Sequence, residues 1–214
     1  MSNVQKRNRG QWMKSGENQK TGPITDFLVQ DHGRLEALLQ QAVAHANHVD
    51  EGAYAQFRAG LLRHIGMEEK ILIPAAQRLR GGESLVIAAK LRLDHGALGT
   101  LLIPTPTAAV IAGIRGILKE HNVLEEGPGG LYETCDELAG AEAAQLLAKL
   151  QAAPEVVVLP HSDTPTVMNT VRRAMEQAGY TFREDESCEI PRSVLRSCNR
   201  NDAKLARAQH CFNS

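Results

Sequence analysis

The sequence predicts an all-α protein: an up-down-up-down four-helix bundle with a fifth helix and a small C-terminal appendage. Three observations carry this. Aromatic residues make up only 4% of the chain, whereas a β-sandwich core draws on aromatic and β-branched side chains. Apolar residues recur at three- and four-residue spacing over four long segments, the period of one helix face. Short breaks rich in Gly and Pro separate those segments, and antiparallel packing of neighbouring helices is the economical way to bury four apolar stripes. At 214 residues, 43% apolar and 23% charged, the composition is that of a globular chain.

Each element has its own signal. Thr25 can cap a first segment with Ile24, Phe27, Leu28, Leu35, Leu38, Leu39 and Ala42 on one stripe, running to about His48. Asp50 opens a second, with Tyr54, Phe57, Leu61, Ile65 and Leu72, which ends near Gly81-Gly82. Ser84 opens a third, with Ala88, Leu91, Leu98 and Leu102, stopped by Pro104. Thr107 opens a fourth, with Val110, Ile114, Ile117 and Leu118, stopped by Gly127-Pro128-Gly129-Gly130. Proline removes a donor and glycine loosens φ, so both end helices. A fifth helical stretch covers about Leu131 to Ala153. The expected organisation is a polar basic tail (1–22), the bundle (23–153), a region 154–180 with the short run Val156-Val157-Val158-Leu159 and a helix from Thr166 to Ala178, read as a small βα-like appendage or a segment laid against the bundle, and a tail (181–214).

The bulk numbers exclude several classes. The net charge is −1, so there is no general electrostatic case for nucleic acid. The body is acidic and both ends are basic, as in Lys6, Arg7, Arg9, Lys14 and Lys20 against Glu17; these read as solvated tails. No apolar run reaches the ~18–20 residues that span a bilayer, and the polar N-terminus does not read as a secretory signal. Cys135 stands alone in the body, and Cys188, Cys198 and Cys211 are widely spaced, so neither a disulfide scaffold nor a zinc knuckle is expected. The default setting is reducing and cytoplasmic.

An internal repeat then focuses the reading. Asp31-His32-Gly33-Arg34-Leu35-Glu36-Ala37-Leu38-Leu39 recurs as Asp94-His95-Gly96-Ala97-Leu98-Gly99-Thr100-Leu101-Leu102, with six of nine positions identical. His64-xxx-Glu68-Glu69 recurs as His121-xxx-Glu125-Glu126. Two copies of a helical hairpin place equivalent residues around a shared axis, so a pseudo-symmetric site at the bundle centre follows. Residues four apart stack on one helix face. His64 and Glu68 therefore point the same way, as do His121 and Glu125, and each pair lies on its helix's apolar stripe. His32 and His95 lie on the apolar stripes of the other two helices.

Burying a bare carboxylate costs several kcal/mol even after relaxation, and two would threaten a fold stable by about 5–15 kcal/mol. A metal removes the problem by binding both charges. Imidazole with carboxylate suits iron, and also manganese or zinc. A single buried histidine is more often a hydrogen-bonded core residue; four of them, with two HxxxE pairs related by a repeat, point to two metals sharing bridging carboxylates. His45 and His48 lack the pattern and read as surface residues, His161 as part of a turn, and His210 as tail.

These residues resemble the hemerythrin-like HHE cation-binding family over about residues 24–140. The resemblance rests on Asp31-His32-x-x-Leu35, His64-xxx-Glu68-Glu69-x-x-Leu72-x-Pro74, Asp94-His95-x-x-Leu98 and His121-xxx-Glu125-Glu126. It implies a four-helix bundle holding two non-haem iron ions, oxo- or hydroxo-bridged, with His32, His64, His95 and His121 as ligands and Glu68 and Glu125 as bridging carboxylates. Oxygen carriers that resemble this chain have a second histidine four residues after the one matching His95; here that position is Gly99, which implies a more open iron. Those carriers also use the residue matching Glu126, whereas the HHE branch uses the one matching Glu125. The implied function is binding or sensing dioxygen or a related small ligand such as nitric oxide or peroxide. Alternatives are a di-iron enzyme (ferroxidase, peroxide decomposition, or iron donation for iron–sulfur cluster repair) and a metal-stabilised interaction module. Repair proteins with a similar bundle usually carry an N-terminal cysteine-containing domain, and no cysteine precedes Cys135 here.

Overall fold

The computed structural model describes residues 21–45 and 48–183. The basic segment 1–20 and the stretch 184–214, with its three cysteines and His210, lie outside the described residues. Helix α1 spans Pro23–Ala42, α2 Glu51–Met67 and α3 Ile73–Leu79, with α2 running into α3 through one π turn, Glu68–Leu72. α4 (Ala88–Leu101) and α5 (Ala108–Glu126) complete a helical bundle. Then come α6 (Leu131–Ala139), a 3-10 turn (Gly140–Glu142), α7 (Ala143–Gln151) and α8 (Pro165–Ala178).

Local side-chain caps start three of the eight described α-helices. The Asp50, Thr107 and Thr164 side chains accept from the N–H groups of Ala53, Val110 and Val167, each satisfying an orphan donor of a first turn. At α1 the expectation fails: Thr25 lies inside the helix, and the cap comes from a distant residue. The Asp136 carboxylate of α6 accepts from the N–H groups of Ile24 and Thr25 at 3.1 and 2.9 Å and from the Thr25 hydroxyl at 2.7 Å. α1 also stops at Ala42 rather than near His48, and the Ala42 carbonyl accepts from Asp50 N–H. The π turn adjoins Pro74, which cannot donate to the helical ladder; there the Ile73 N–H reaches back five residues to Glu68 O.

Two apolar clusters fill the bundle. One gathers Leu35, Leu39, Phe57, Leu61, Leu98, Leu101, Ile114 and Ile117, among others. The other gathers Ile24, Leu28, Met67, Leu72, Leu91, Leu131 and Leu150, among others. α1 and α4 run from the second cluster to the first, and α2–α3 runs the opposite way, as does α5 leading into α6. That alternation is the up-down-up-down arrangement. Each rod passes from one cluster to the other through its own histidine, so the predicted site residues form a layer between two oily ends.

The connections position this layer. α1 and α2 approach closely at Gly60, where a Cβ would come within 2.7 Å of the Leu35 side chain. The fifth helix is broken in two at Gly140, whose φ of +45° disfavours any residue with a Cβ. α6 packs against α1, α3 and α5. α8 lies along α4 and buries Val171, Met175 and Ala178 in the first cluster. The run Val156–Leu159 forms no strand: residues 153–164 carry no helix or strand, and Val157 and Leu159 are 91% and 77% exposed. A β-branched run needs a partner strand, and none exists among the described residues. No described helix is long and apolar enough to cross a membrane.

Candidate metal centre

The six residues singled out by the repeat converge. His32 comes from α1, His64 from α2, Glu68 from the start of the π turn, His95 from α4, and His121 and Glu125 from α5. All six are buried, Glu68 and Glu125 completely. They fall into two groups, His32, His64, Glu68 and Glu125, and Glu68, His95, His121 and Glu125. Within each group one donor atom per residue lies within 4.8 Å of every other. The two carboxylates belong to both groups, and each offers one oxygen to each. Glu68 Oε1 lies 3.2 Å from His64 Nε2 while its Oε2 lies 3.1 Å from His95 Nε2. Glu125 Oε2 lies 3.6 Å from His32 Nε2 while its Oε1 lies 3.0 Å from His121 Nε2.

The neighbours of these residues explain the doublets in the repeat. Adjacent residues on a helix project in different directions, so the partner of each doublet reaches a neighbouring rod. Asp31 accepts from His64 Nδ1 at 2.9 Å, Glu69 from His95 Nδ1 at 2.7 Å, Asp94 from His121 Nδ1 at 3.4 Å and Glu126 from His32 Nδ1 at 2.5 Å. The four bonds form a closed ring around the bundle. Each places the ring proton on Nδ1 and leaves the Nε2 lone pair aimed inward, the device that orients metal-binding imidazoles. Glu125 is thus the α5 carboxylate in the cluster, and Glu126 holds His32 from outside. Two cations back the two aspartates: Arg34 Nε donates to Asp31 at 2.8 Å, and Lys90 Nζ to Asp94 at 2.6 Å.

Electrostatics follow from burying so many charges. Burial opposes protonation of His64, but the Glu68 carboxylate and the bond to Asp31 outweigh it and raise its pKa to about 10. His95 also rises to about 10, with burial outweighed by Glu125, Glu68 and Glu69, and His121 rises to about 9, with burial outweighed by Asp94 and Glu125. Burial pushes Glu68 up, yet the facing His64 and His95 hold it well below the usual carboxylate range. Without a metal, then, protons on these imidazoles balance the buried carboxylates.

The two groups differ in one respect, and it bears on metal. Glu68 Oε2, His95 Nε2 and Glu125 Oε1 are buried with no hydrogen-bond partner among the described residues. They crowd each other without hydrogen-bond alignment. An unsatisfied buried polar atom costs about 1–3 kcal/mol, and three on one point identify a place built for something else to bind. Two imidazoles and two carboxylate oxygens there fit a first-row divalent ion such as iron. In the other group the equivalent oxygens are engaged by Tyr132.

Tyr132 was invisible to the repeat. It stands on α6, is fully buried, and carries a hydroxyl that donates to Glu68 Oε1 at 2.7 Å. The Tyr132 hydroxyl oxygen lies 3.1 Å from His32 Nε2 and 3.2 Å from both His64 Nε2 and Glu125 Oε2. The register of Tyr132 with buried Cys135 and Ala139 marks the inner face of α6, but no local signal says which site that face covers. Gly99, one turn along from His95, leaves open space: a Cβ there meets nothing within 4 Å. His45 and His48 are exposed and stack on each other. His161 is exposed, stacks on Tyr54 and donates from Nδ1 to Ile103 O at 3.3 Å, pinning the 160s segment far in sequence from its contacts.

The family model for the hemerythrin HHE cation binding domain matches residues 24–153. Comparison with curated proteins and with solved structures gave no match. The matched span covers more than half of the chain, runs from α1 through α7 and includes all six site residues and Tyr132. The chain belongs to the hemerythrin HHE cation-binding family.

Proposed function

We propose that this protein is a non-haem di-iron protein that binds or senses dioxygen or a related small ligand, nitric oxide or peroxide, inside the bundle. The observation that carries the reading is the sharing of Glu68 and Glu125 between two His-pair clusters. His32 and His64 would hold one cation and His95 and His121 a second, each with one oxygen of Glu68 and one of Glu125, and the metal charge would compensate two carboxylates that no solvent reaches. Iron in this setting supplies a redox couple and open coordination positions for a small ligand.

The chain's own residues do the rest. His32, His64, His95 and His121 present Nε2 inward because Glu126, Asp31, Glu69 and Asp94 hold Nδ1. The apolar clusters above and below exclude water, which favours a small neutral ligand over ions. Gly99 supports a more open position beside His95 and His121 than beside His32 and His64. Manganese or zinc would use the same donors, and iron is favoured by the family.

The test is a metal count with an optical spectrum on the full chain purified in air. The expected result is about two irons per chain and near-ultraviolet charge-transfer bands; one zinc, or no metal, refutes it. Mixing the reduced protein with dioxygen then separates the roles. A spectral change that reverses on removing the gas supports binding or sensing, and rapid irreversible oxidation or peroxide turnover supports the enzyme alternative.

A further inference from the structure

We propose that Tyr132 is itself a metal ligand, giving its phenol oxygen to the ion held by His32 and His64 and to that ion alone. The proposal rests on the di-iron reading above and adds an asymmetry to it. Its basis is where the hydroxyl lies. Four donor atoms surround it, the Nε2 atoms of His32 and His64, Glu68 Oε1 and Glu125 Oε2, at 3.1, 3.2, 2.7 and 3.2 Å. An octahedral ion with bonds of about 2.1 Å keeps its neighbouring ligands about 3.0 Å apart. Each vertex of an octahedron has four such neighbours. The hydroxyl therefore stands from the four donors as a fifth ligand on the same ion would, and too far from them to mark the position of the ion itself.

The alternative is a hydrogen-bonded phenol that donates to Glu68 Oε1 and accepts from an imidazole Nε2. The phenol has one proton, so that network offers none to Glu125 Oε2, a second acceptor at 3.2 Å, and it buries a whole tyrosine against two carboxylates. The second cluster supplies the contrast. It has the same four kinds of donor, no hydroxyl in the role of Tyr132 among the hydrogen bonds of the described residues, and three atoms that face one another as ion pairs without a hydrogen bond. The pseudo-twofold of the sequence repeat is thus broken by α6, which lies outside the repeat. One ion would have five protein ligands and the other four, leaving the His95–His121 side, next to Gly99, as the side that takes an exogenous ligand. Binding exchanges the phenol O–H bond for a metal–oxygen bond, and the proton leaves to solvent; no electron is transferred.

The experiment uses the full chain loaded with ferric iron. A phenolate on ferric iron gives a visible charge-transfer band and, under excitation there, resonance Raman modes of the tyrosine ring. The expected result is that the wild type shows both and that Tyr132→Phe loses both while keeping about two irons and its helical circular dichroism. A Tyr54→Phe/Tyr180→Phe variant, in which Tyr132 is the remaining tyrosine of the three in the chain, should keep both signals. It assigns them even where Tyr132→Phe folds poorly. Two irons with no tyrosinate modes in the wild type, or modes that survive in Tyr132→Phe, overturn the proposal and leave the di-iron centre standing. Absence of bound iron in the wild type overturns both.

Discussion

The two halves of the centre share a sequence pattern but not a neighbourhood. The His32–His64 half is roofed by Tyr132 from α6, and its aspartate, Asp31, is backed by Arg34. The His95–His121 half is equally buried but has three polar atoms without a hydrogen bond, and its aspartate, Asp94, is backed by Lys90. Lys90 also donates to Ala178 O at 2.8 Å and lies 3.2 Å from the Tyr180 hydroxyl. One half is therefore tied to α6 and the other to the end of α8. A duplicated hairpin builds two equivalent donor sets; the elements added after it make them unequal.

The largest expected effect tests what the halves share. Glu68→Ala should drop the iron count from about two to near zero, because both ions lose a ligand and a charge. Glu125→Ala should do the same. His64→Ala should strip metal first from its own half, while His48→Ala and His161→Ala leave the count unchanged. A full iron complement in Glu68→Ala breaks the idea of shared carboxylates.

The next effect is on pH. Metal binding needs neutral imidazoles, and His64 and His95 hold protons to about pH 10 in the metal-free chain, with His121 to about 9. Metal affinity, measured by competition with a chelator of known affinity, should rise steadily from pH 6.5 to 9. Metal-free stability should move oppositely. These raised pKa values contribute stability that is fully present below the usual imidazole value of about 6.5 and is lost as pH rises through 9 and 10. Thermal melts of the chelated protein should therefore fall over that range; a flat profile contradicts the ion-paired core.

Smaller effects probe the outer ring. Asp31→Asn and Asp94→Asn should each weaken metal binding about 10–100-fold, the usual cost of losing a group that orients a ligand. A site-selective loss seen in metal titrations would sharpen the comparison between halves. Lys90→Met should have a lesser effect on metal and loosen α8, read as faster amide exchange there. Smallest is His161→Ala, which should cost about 1 kcal/mol of stability through its lost stacking and hydrogen bonding and leave the iron count alone.

Much of this was legible beforehand, and the reason is periodicity. Helix faces follow from 3.6-residue spacing, so the apolar stripes of Leu28, Leu35 and Leu39 or of Ile114 and Ile117 place His32 and His121 in the core without coordinates. The Asp50 and Thr107 caps are local hydrogen bonds within three residues, equally readable. The α1 cap was misread because Asp136 lies more than a hundred residues from it. Val156–Leu159 was misread because strand formation needs a partner that the run itself cannot specify. The π turn at Glu68 adjoins Pro74, a cue whose consequence depends on how the flanking turns pack.

The sequence by itself determined the helical bundle, the family, and six buried donors in two HxxxE-containing repeats, because all of these are properties of one helix at a time or of two similar segments. Only the tertiary structure decided which oxygen of each carboxylate faces which pair, which neighbour orients each imidazole, and that Tyr132 covers one half and not the other. Those depend on how α6 crosses α1, α3 and α5. A crossing is set by packing between residues far apart in the chain, and no local period encodes it.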